Sequence, residues 1–199
     1  MPLIEIRQLS EHVRLGLWRI EEAQAPATIG VPSGVSAVPT CTPRQRERLA
    51  VQQLLAAMTC DPTLTIDHES SGRPILKEQS SEVKGHISVS HTRGYAALLL
   101  STAGPVGIDI EYRSDRVERI ASRFIRPDEP AQTTDEKLLL WSAKEAVYKL
   151  FSEDNLLFFD MRALSIGHRC LQVENMKRGL VVDVFYEFSE NFVLTYAII

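Results

Sequence analysis

Two segments of this chain have the spacing of long amphipathic helices, and strand-like segments lie on both sides of each. In the first segment, Thr42 is placed as an N-cap, Pro43 follows at the first helical position and Gln45 completes a capping box. These signals predict a helix over about 43–58. Its predicted apolar face consists of Leu49, Leu54, Leu55 and Met58.

The second helical segment is TTDEKLLLWSAKEAVYKLF, residues 133–151. Thr133 and Glu136 make a second capping box at its start. Apolar residues then recur at helical spacing, at Leu139, Ala143, Ala146, Val147 and Leu150. This spacing predicts a helix with one buried face.

The other apolar runs alternate in the manner of strands. GHISVSH (85–91) and YAALLLS (95–101) are separated by the short turn Thr92-Arg93-Gly94 and predict a hairpin. Further strands are predicted at 3–7, 13–20 and 106–112 and within the runs ALSIG, CLQVENM, VVDVFYEF and NFVLTYAII of the last 37 residues, counted from 163 to 199. Loops are predicted for the Ala-, Pro- and Gly-rich stretch 23–41 and for the turn-rich stretch 68–78.

This order of elements predicts an α+β protein. Strands, a helix and a hairpin come first, and a strand, a helix and four strands follow. We therefore expect two pseudo-symmetric halves, 1–102 and 103–199, each with an antiparallel sheet and a long helix.

Composition and charge argue against several function classes. The 22 basic and 26 acidic residues give a net charge of −4, which disfavours general binding to nucleic acid or to an anionic membrane. Cys41, Cys60 and Cys170 have no CxxC spacing and indicate neither a disulfide framework nor a zinc knuckle. The N-terminus has no basic region followed by an apolar run, and no stretch approaches the ~20 apolar residues that span a bilayer. We therefore expect a cytoplasmic protein.

The predicted strand VGIDIEY (106–112) carries two carboxylates. Asp109 and Glu111 are two residues apart, so they project from the same face, about 7 Å apart at Cα. Two such oxygen ligands with no nearby His or Cys suit Mg²⁺ better than zinc or copper. The alternative is the solvent-facing side of an ordinary antiparallel strand, which is the more frequent role of such a pair.

The second helix places Lys144, Glu145 and Lys149 within a turn and a half. Glu145 and Lys149 are an i,i+4 pair, which on a surface is a salt bridge of about 0.3–0.5 kcal/mol. The same three residues also suit a magnesium-bound pyrophosphate, with the carboxylate on the metal and the ammonium groups on phosphate oxygens. Both interpretations are open at this point.

Cationic and polar groups in the first half are further candidates. His91 ends a hairpin strand next to Ser90, where a histidine is usually a structural hydrogen-bonding group. Arg44 and Arg46 lie in the first turn of the first helix, where a cation opposes the helix dipole at a cost of a few tenths of a kcal/mol. A bound phosphate would reverse that sign, and the alternative is two solvated arginines.

Four of these segments together resemble a known family. SGRP (71–74), ISVSHT (87–92), VGIDIE (106–111) and WSAKEAVYK (141–149), in this order, resemble the 4'-phosphopantetheinyl transferases of the longer, single-chain, surfactin-synthetase-activating type. The signatures G-[IV]-D-[IV]-E and W-[ST]-x-K-E-[AS]-x-x-K, about 30 residues apart, carry the resemblance.

The resemblance implies a role for each candidate residue. Asp109, Glu111 and Glu145 would bind Mg²⁺, Glu145 would be the general base, directly or through a metal-bound water, and Lys149 would neutralise charge on the pyrophosphate. Contacts with coenzyme A are implied for Arg44, Arg46, Arg73, Ser90, His91, Lys144 and Lys149. Arg73 replaces the lysine of the family's G-K-P element, and Gln52 stands where many relatives have another arginine.

The implied activity is that of a magnesium-dependent holo-[acyl-carrier-protein] synthase, as used in fatty acid biosynthesis. It would move the 4'-phosphopantetheine arm of coenzyme A onto a serine of an acyl or peptidyl carrier protein and release adenosine 3',5'-bisphosphate. Residues 1–102 would supply the coenzyme A-binding elements, and residues 103–199 the magnesium site and the carrier contact. The resemblance also implies a monomer.

Two alternatives are a non-catalytic carrier- or nucleotide-binding homologue and a phosphohydrolase that transfers to water. The segment before the second helix resembles the part of the family that contacts the carrier's acidic helix, the alternative being a solvated loop. Its basic residues are Arg113, Arg116, Arg119, Arg123 and Arg126.

Overall fold

The computed structural model describes residues 3–20, 42–78, 81–82 and 85–199. The loop predicted over 23–41 lies outside these residues. Within them, the two long helices are α1 (Pro43–Thr59) and α2 (Thr134–Leu150). The strands are β1 (Leu3–Gln8), β2 (Val13–Arg19), β3 (Leu64–His68), β4 (Pro74–Glu78), β5 (Ser81–Glu82), β6 (His86–Thr92), β7 (Tyr95–Ser101), β8 (Val106–Tyr112), β9 (Met161–Ile166), β10 (Cys170–Asn175), β11 (Leu180–Phe188) and β12 (Phe192–Ile198).

Both predicted capping boxes are confirmed. The Thr42 side chain accepts a hydrogen bond from the Gln45 backbone N–H, and the Gln45 side chain accepts one from the Thr42 N–H at 2.8 Å. Thr133 and Glu136 make the same reciprocal bonds at the start of α2. The orphan N–H groups of each first turn are therefore partly satisfied by local sequence, which explains why both helix starts were predictable.

Two details of the prediction are wrong. Leu49 is 54% exposed, and the buried face of α1 consists of Ala50, Val51, Leu54, Leu55 and Met58. The stretch 68–78 is not only a loop, because β4 pairs antiparallel with β3 in a hairpin. Its turn-rich letters describe the connection, where Gly72 has a φ of +88°.

The strands form three antiparallel sheets. The four-stranded sheet has the order β1-β2-β7-β6 and packs against α1. The five-stranded sheet has the order β8-β12-β11-β10-β9 and packs against α2. The small third sheet is β3-β4-β5. The predicted α+β class is confirmed, while the pseudo-symmetry of the halves and their boundary at 102 stay predictions.

A shared core joins the two larger sheets. Val13, Leu15 and Leu17 of β2 pack in one apolar cluster with Ile108 and Ile110 of β8, among others. Because this cluster draws on both sheets, β8 lies between the two parts of the molecule, with α2 on its other side. In the described part of the chain, neither helix is long and apolar enough to cross a membrane.

Candidate active site

Strand β8 lies directly against α2 because its second residue is a glycine. A Cβ placed on Gly107 would lie 2.0 Å from the Ala146 carbonyl oxygen and 2.9 Å from the Leu150 nitrogen, distances that no side chain tolerates. Any larger residue would push the strand away from the helix. The glycine of the VGIDIE signature therefore brings Asp109 and Glu111 close to Glu145.

Asp109 is buried, with 4% of its surface exposed, so the solvent-facing alternative is wrong. Its Oδ1 accepts hydrogen bonds from the Ser90 hydroxyl and from Lys149 Nζ, both at 2.8 Å. Its Oδ2 is buried and has no hydrogen-bond partner among the described residues. A buried carboxylate oxygen without a donor is costly, so this atom is a natural position for a ligand.

Burial and the neighbouring Asp109 carboxylate raise the pKa values of Glu111 and Glu145. Burial first, then the Asp109 charge and more weakly the Glu145 charge, together raise the pKa of Glu111 to about 7, against the opposing Trp141 hydrogen bond. The pKa of Glu145 is raised by burial first and then by Asp109, while Lys149 lowers it. The buried Asp109 carboxylate and the half-buried Glu111 and Glu145 carboxylates form a group that a cation would stabilise.

Trp141 supports Glu111 in a way that the sequence reasoning missed. Its indole Nε1–H donates to Glu111 Oε1 at 2.8 Å, and its ring stacks on Phe158 with a centroid distance of 4.8 Å. Trp141 also lies near the apolar stripe of α2, where its ring packs against the core. Its place in the W-S-x-K-E signature was the one available sign of this second role.

The residues fit a hard divalent cation in chemistry but do not already form a closed metal centre. In residues 3–20, 42–78 and 85–199, no three His, Cys, Asp or Glu side chains are arranged so that they could hold a metal ion as they stand. The carboxylates of Asp109, Glu111 and Glu145 nevertheless offer the all-oxygen donors that Mg²⁺ prefers. Asp109 Oδ2 has no partner among the described residues, and the raised pKa values of Glu111 and Glu145 show that burial disfavours their charged forms, which a cation would stabilise.

Lys149, which contacts Asp109, lines a cleft of about 1250 Å³, and none of the three carboxylates is among the described residues that line it. It is lined by the start of α1, the β3–β4 connection, β6 and the end of α2. Its basic lining consists of Arg44, Arg48, Arg73, His86, His91 and Lys149, with His68 near the turn. Arg48 was missed by the sequence reasoning, although its i,i+4 spacing from Arg44 puts both on one helix face.

Some of these basic side chains already have acidic partners. His91 Nδ1 lies 3.6 Å from Glu47 Oε2, and Arg73 pairs with Glu69 at 2.9 Å and with Glu153 at 3.4 Å. These pairs are partly exposed and worth little individually, so an anion can compete for the basic side chains. Gln52 also lines the cleft, and its amide donates to the Leu64 carbonyl at 2.6 Å.

Three of the expected coenzyme A contacts do not match the geometry. The Ser90 hydroxyl is buried and bonded to Asp109 and to the Ile110 N–H, so it does not face the cleft. Lys144 is fully buried, and its ammonium group donates to Glu129 and to the Phe124 carbonyl instead of facing the cleft. Arg46 does not belong to the cleft lining as the described residues outline it.

The other predicted site residues fall into two neighbouring groups, the carboxylates at the contact between β8 and α2 and the basic residues that line the cleft. Asp109, Glu111 and Glu145 lie where β8 meets α2, and Lys149 contacts Asp109 and also lines the cleft.

Residues 105–197 match the family model of the 4'-phosphopantetheinyl transferase superfamily. That family consists of transferases that use coenzyme A as a substrate and act on carrier proteins.

The superfamily match spans β8 through almost all of β12 and includes α2. It therefore contains the three carboxylates and Lys149, while Arg44, Arg73 and His91 lie outside it. None of the curated proteins compared with the chain matches it significantly. The match supports phosphopantetheine transfer as the general activity and does not distinguish a subfamily.

Proposed function

We propose that the protein is a magnesium-dependent 4'-phosphopantetheinyl transferase of the surfactin-synthetase-activating type that converts an apo carrier protein to its holo form. The observation that carries the proposal is the buried Asp109 Oδ2 atom, which has no donor among the described residues. It lies in the part of the chain that matches the superfamily, next to Lys149 at the edge of a cationic cleft.

The residues divide into two groups by charge. Asp109, Glu111 and Glu145 would hold Mg²⁺, which when bound supplies positive charge to the pyrophosphate of coenzyme A. Arg44 and His91 of the cleft would bind the 3'-phosphate of coenzyme A, because guanidinium and imidazole N–H groups donate to phosphate oxygens. Lys149 bridges the two groups and would neutralise charge that develops on the leaving phosphate.

The transfer step needs a base and an acceptor hydroxyl. The carrier serine oxygen forms a bond to the β-phosphorus of coenzyme A, and the bond from that phosphorus to the bridging oxygen breaks. Adenosine 3',5'-bisphosphate leaves with the bridging oxygen and its electron pair. We assign the serine proton to Glu145, whose raised pKa brings it nearer to neutral pH, where a general base is most effective.

The carrier would contact the segment between β8 and α2. Arg116, Arg119 and Arg123 are exposed there and have no ion pair within the described residues. Arg113 instead pairs with Asp135 at 2.5 Å, and Arg126 with Asp128 at 3.1 Å. The three unpaired arginines are the ones that would complement an acidic carrier helix.

The test is an intact-mass measurement on apo carrier proteins from fatty-acid, polyketide and nonribosomal-peptide synthesis. Each is incubated with the protein, coenzyme A and Mg²⁺, and we expect a gain of one phosphopantetheine on at least one of them. Omission of Mg²⁺ should prevent that gain, and a carrier with its acceptor serine replaced by alanine is the matched control.

The same assay separates the alternatives. Loss of coenzyme A without any carrier would identify a phosphohydrolase instead. Binding of coenzyme A or carrier with no mass change on any carrier would identify a non-catalytic homologue. The monomeric state and the cytoplasmic location stay predictions, to be checked by light scattering and by cell fractionation.

A further inference from the structure

Strands β6 and β8 are joined by side-chain hydroxyls. The hydroxyl oxygens of Ser88, Ser90 and Thr92 accept hydrogen bonds from successive alternate N–H groups of β8, at distances of 3.0, 3.3 and 3.0 Å. The acceptor and donor positions differ by 20 residues in every case, so the two strands run in the same direction. We call Ser88, Ser90 and Thr92 the hydroxyl seam.

The hydroxyl seam supplies hydrogen-bond acceptors to N–H groups of the edge strand β8. β6 ends the four-stranded sheet and β8 ends the five-stranded sheet, and the two are not paired with each other as strands of one sheet. The Ile108 and Ile110 N–H groups are nevertheless buried and need acceptors. Hydroxyl groups at every second residue of β6 supply them.

Ser90 differs from the other two members because its hydroxyl also acts as a donor. It accepts the Ile110 N–H and donates to Asp109 Oδ1 at 2.8 Å, which directs its single hydrogen toward the carboxylate. Lys149 Nζ donates to the same oxygen and to the Ile108 carbonyl at 2.9 Å. Both donors therefore act on Oδ1, and Oδ2 is left without one among the described residues.

We infer that Ser90 is a positioning residue that holds the Asp109 carboxylate so that Oδ2 is presented to the divalent cation. The inference rests on the proposed function, because the cation is part of that proposal. It gives Ser90 a role other than the coenzyme A contact expected from the sequence. The role requires a side chain that is small, buried and able to accept and donate at once, which serine satisfies.

Ser88 provides a matched control within the same strand. It is buried like Ser90 and accepts the neighbouring β8 N–H, from Ile108, and no hydrogen bond joins it to a carboxylate in the described residues. Ser88→Ala thus removes one bond of the hydroxyl seam alone. Ser90→Ala removes the equivalent bond together with the one to Asp109.

The experiment measures Mn²⁺ binding, with coenzyme A present, from the electron paramagnetic resonance signal of free Mn²⁺. We expect the Mn²⁺ dissociation constant to rise about 10- to 100-fold in Ser90→Ala and to change less than about twofold in Ser88→Ala. Ser90→Cys, with a weaker donor of similar size, should lie between them. Urea unfolding of each variant, run in parallel, checks that Ser88→Ala and Ser90→Ala are both folded under the conditions of the binding measurement.

Two failures are distinguishable. Equal Mn²⁺ affinity in wild type, Ser90→Ala and Ser90→Cys would overturn the positioning role and leave the metal site intact. Mn²⁺ binding by wild type no tighter than by Asp109→Asn would overturn the metal site of the proposed function itself. If Ser90→Ala does not fold, Ser90→Cys against Ser88→Ala decides the positioning role by the same measurement.

Discussion

Lys144 and Lys149 lie five residues apart on helix α2, and the structure uses them in opposite ways. Lys149 is partly exposed and donates to Asp109 and to the Ile108 carbonyl at the edge of the cleft. Lys144 is fully buried and donates to Glu129 and to the Phe124 carbonyl. The same type of side chain is thus available to a ligand on one face of the helix and part of the fold on the other.

The side of α2 that carries Lys144 is tied to its neighbouring segments through Glu129. The Glu129 carboxylate accepts hydrogen bonds from the Arg126 N–H at 2.6 Å, from the Ala163 N–H at 2.7 Å and from Lys144. It therefore ties the segment before α2 to both α2 and β9. Burial lowers the pKa of Lys144 and Glu129 opposes this, so the pair depends on being complete.

The aromatic rings beside this pair lead back to the site. Phe124 and Phe158 lie against Trp141, at centroid distances of 5.1 and 4.8 Å, and Trp141 donates to Glu111. The two faces of α2 are therefore connected through one packed cluster. A lysine in a shared signature therefore does not by itself indicate a phosphate contact, because its burial decides which partner it meets.

The largest expected effect comes from removing the acceptor of Lys149. Asp109→Ala should lower carrier modification at least about 10³-fold, because it removes a proposed ligand of the Mg²⁺ that would neutralise the reacting pyrophosphate. The measurement is the rate of carrier mass gain, with circular dichroism to show that the fold persists. Transfer at the wild-type rate would contradict the assignment of Asp109 to the metal site.

Removing Lys144 tests the other face of α2. Lys144→Met should lower the free energy of unfolding by about 3–5 kcal/mol, because it leaves Glu129 buried without its cation. Urea unfolding checks this. Adding Glu129→Gln to Lys144→Met should recover part of the loss, because the buried charge is then gone as well; no recovery would argue against the pair as the cause.

Lys149→Met should affect activity more than stability, whereas Lys144→Met should mainly affect stability. We expect a stability loss of only about 1–2 kcal/mol, because water reaches the partly exposed ammonium site, and a fall of about 10- to 100-fold in the transfer rate at saturating coenzyme A. Denaturant unfolding and initial rates are compared with those of Lys144→Met. Equal stability losses in the two variants would remove the distinction between the faces.

The smallest effect concerns pH. The folded-state pKa of Glu111, about 7, lies above its ordinary value of 4.5, so the folded state binds the extra proton between these values. Stability without metal should therefore fall as pH rises from about 4.5 to about 7, by up to about 2 kcal/mol given partial exposure, and then level off. Urea unfolding at several pH values measures this.

Glu111→Gln is the control for the pH effect. It cannot ionise, so its stability should change less with pH across the same window. Excess Mg²⁺ should also reduce the fall in the wild-type protein, since a cation favours the ionised carboxylate. An identical pH profile in wild type and Glu111→Gln would show that Glu111 is not the titrating group.

Much of the fold was predictable because its signals are local. Capping boxes and alternating apolar residues depend on neighbours within a few positions, and both helices and the strands from β6 onward were found at nearly their observed bounds. The β3–β4 hairpin was missed because its strands are short and mostly exposed. Leu49 was misassigned because helical spacing alone does not show how wide the buried face is.

The sequence by itself determined the two helices, the α+β class and the group of carboxylates and lysines that resembles a transferase signature. Only the tertiary structure decided that Asp109 is buried with one unpartnered oxygen, that Ser90 and Trp141 hold the carboxylates, and that Lys144 belongs to the core. The physical reason is that burial and hydrogen bonding depend on partners far away in the chain. Lys144 meets Glu129 and Phe158, and Asp109 meets Ser90, through packing that spacing along the chain does not encode.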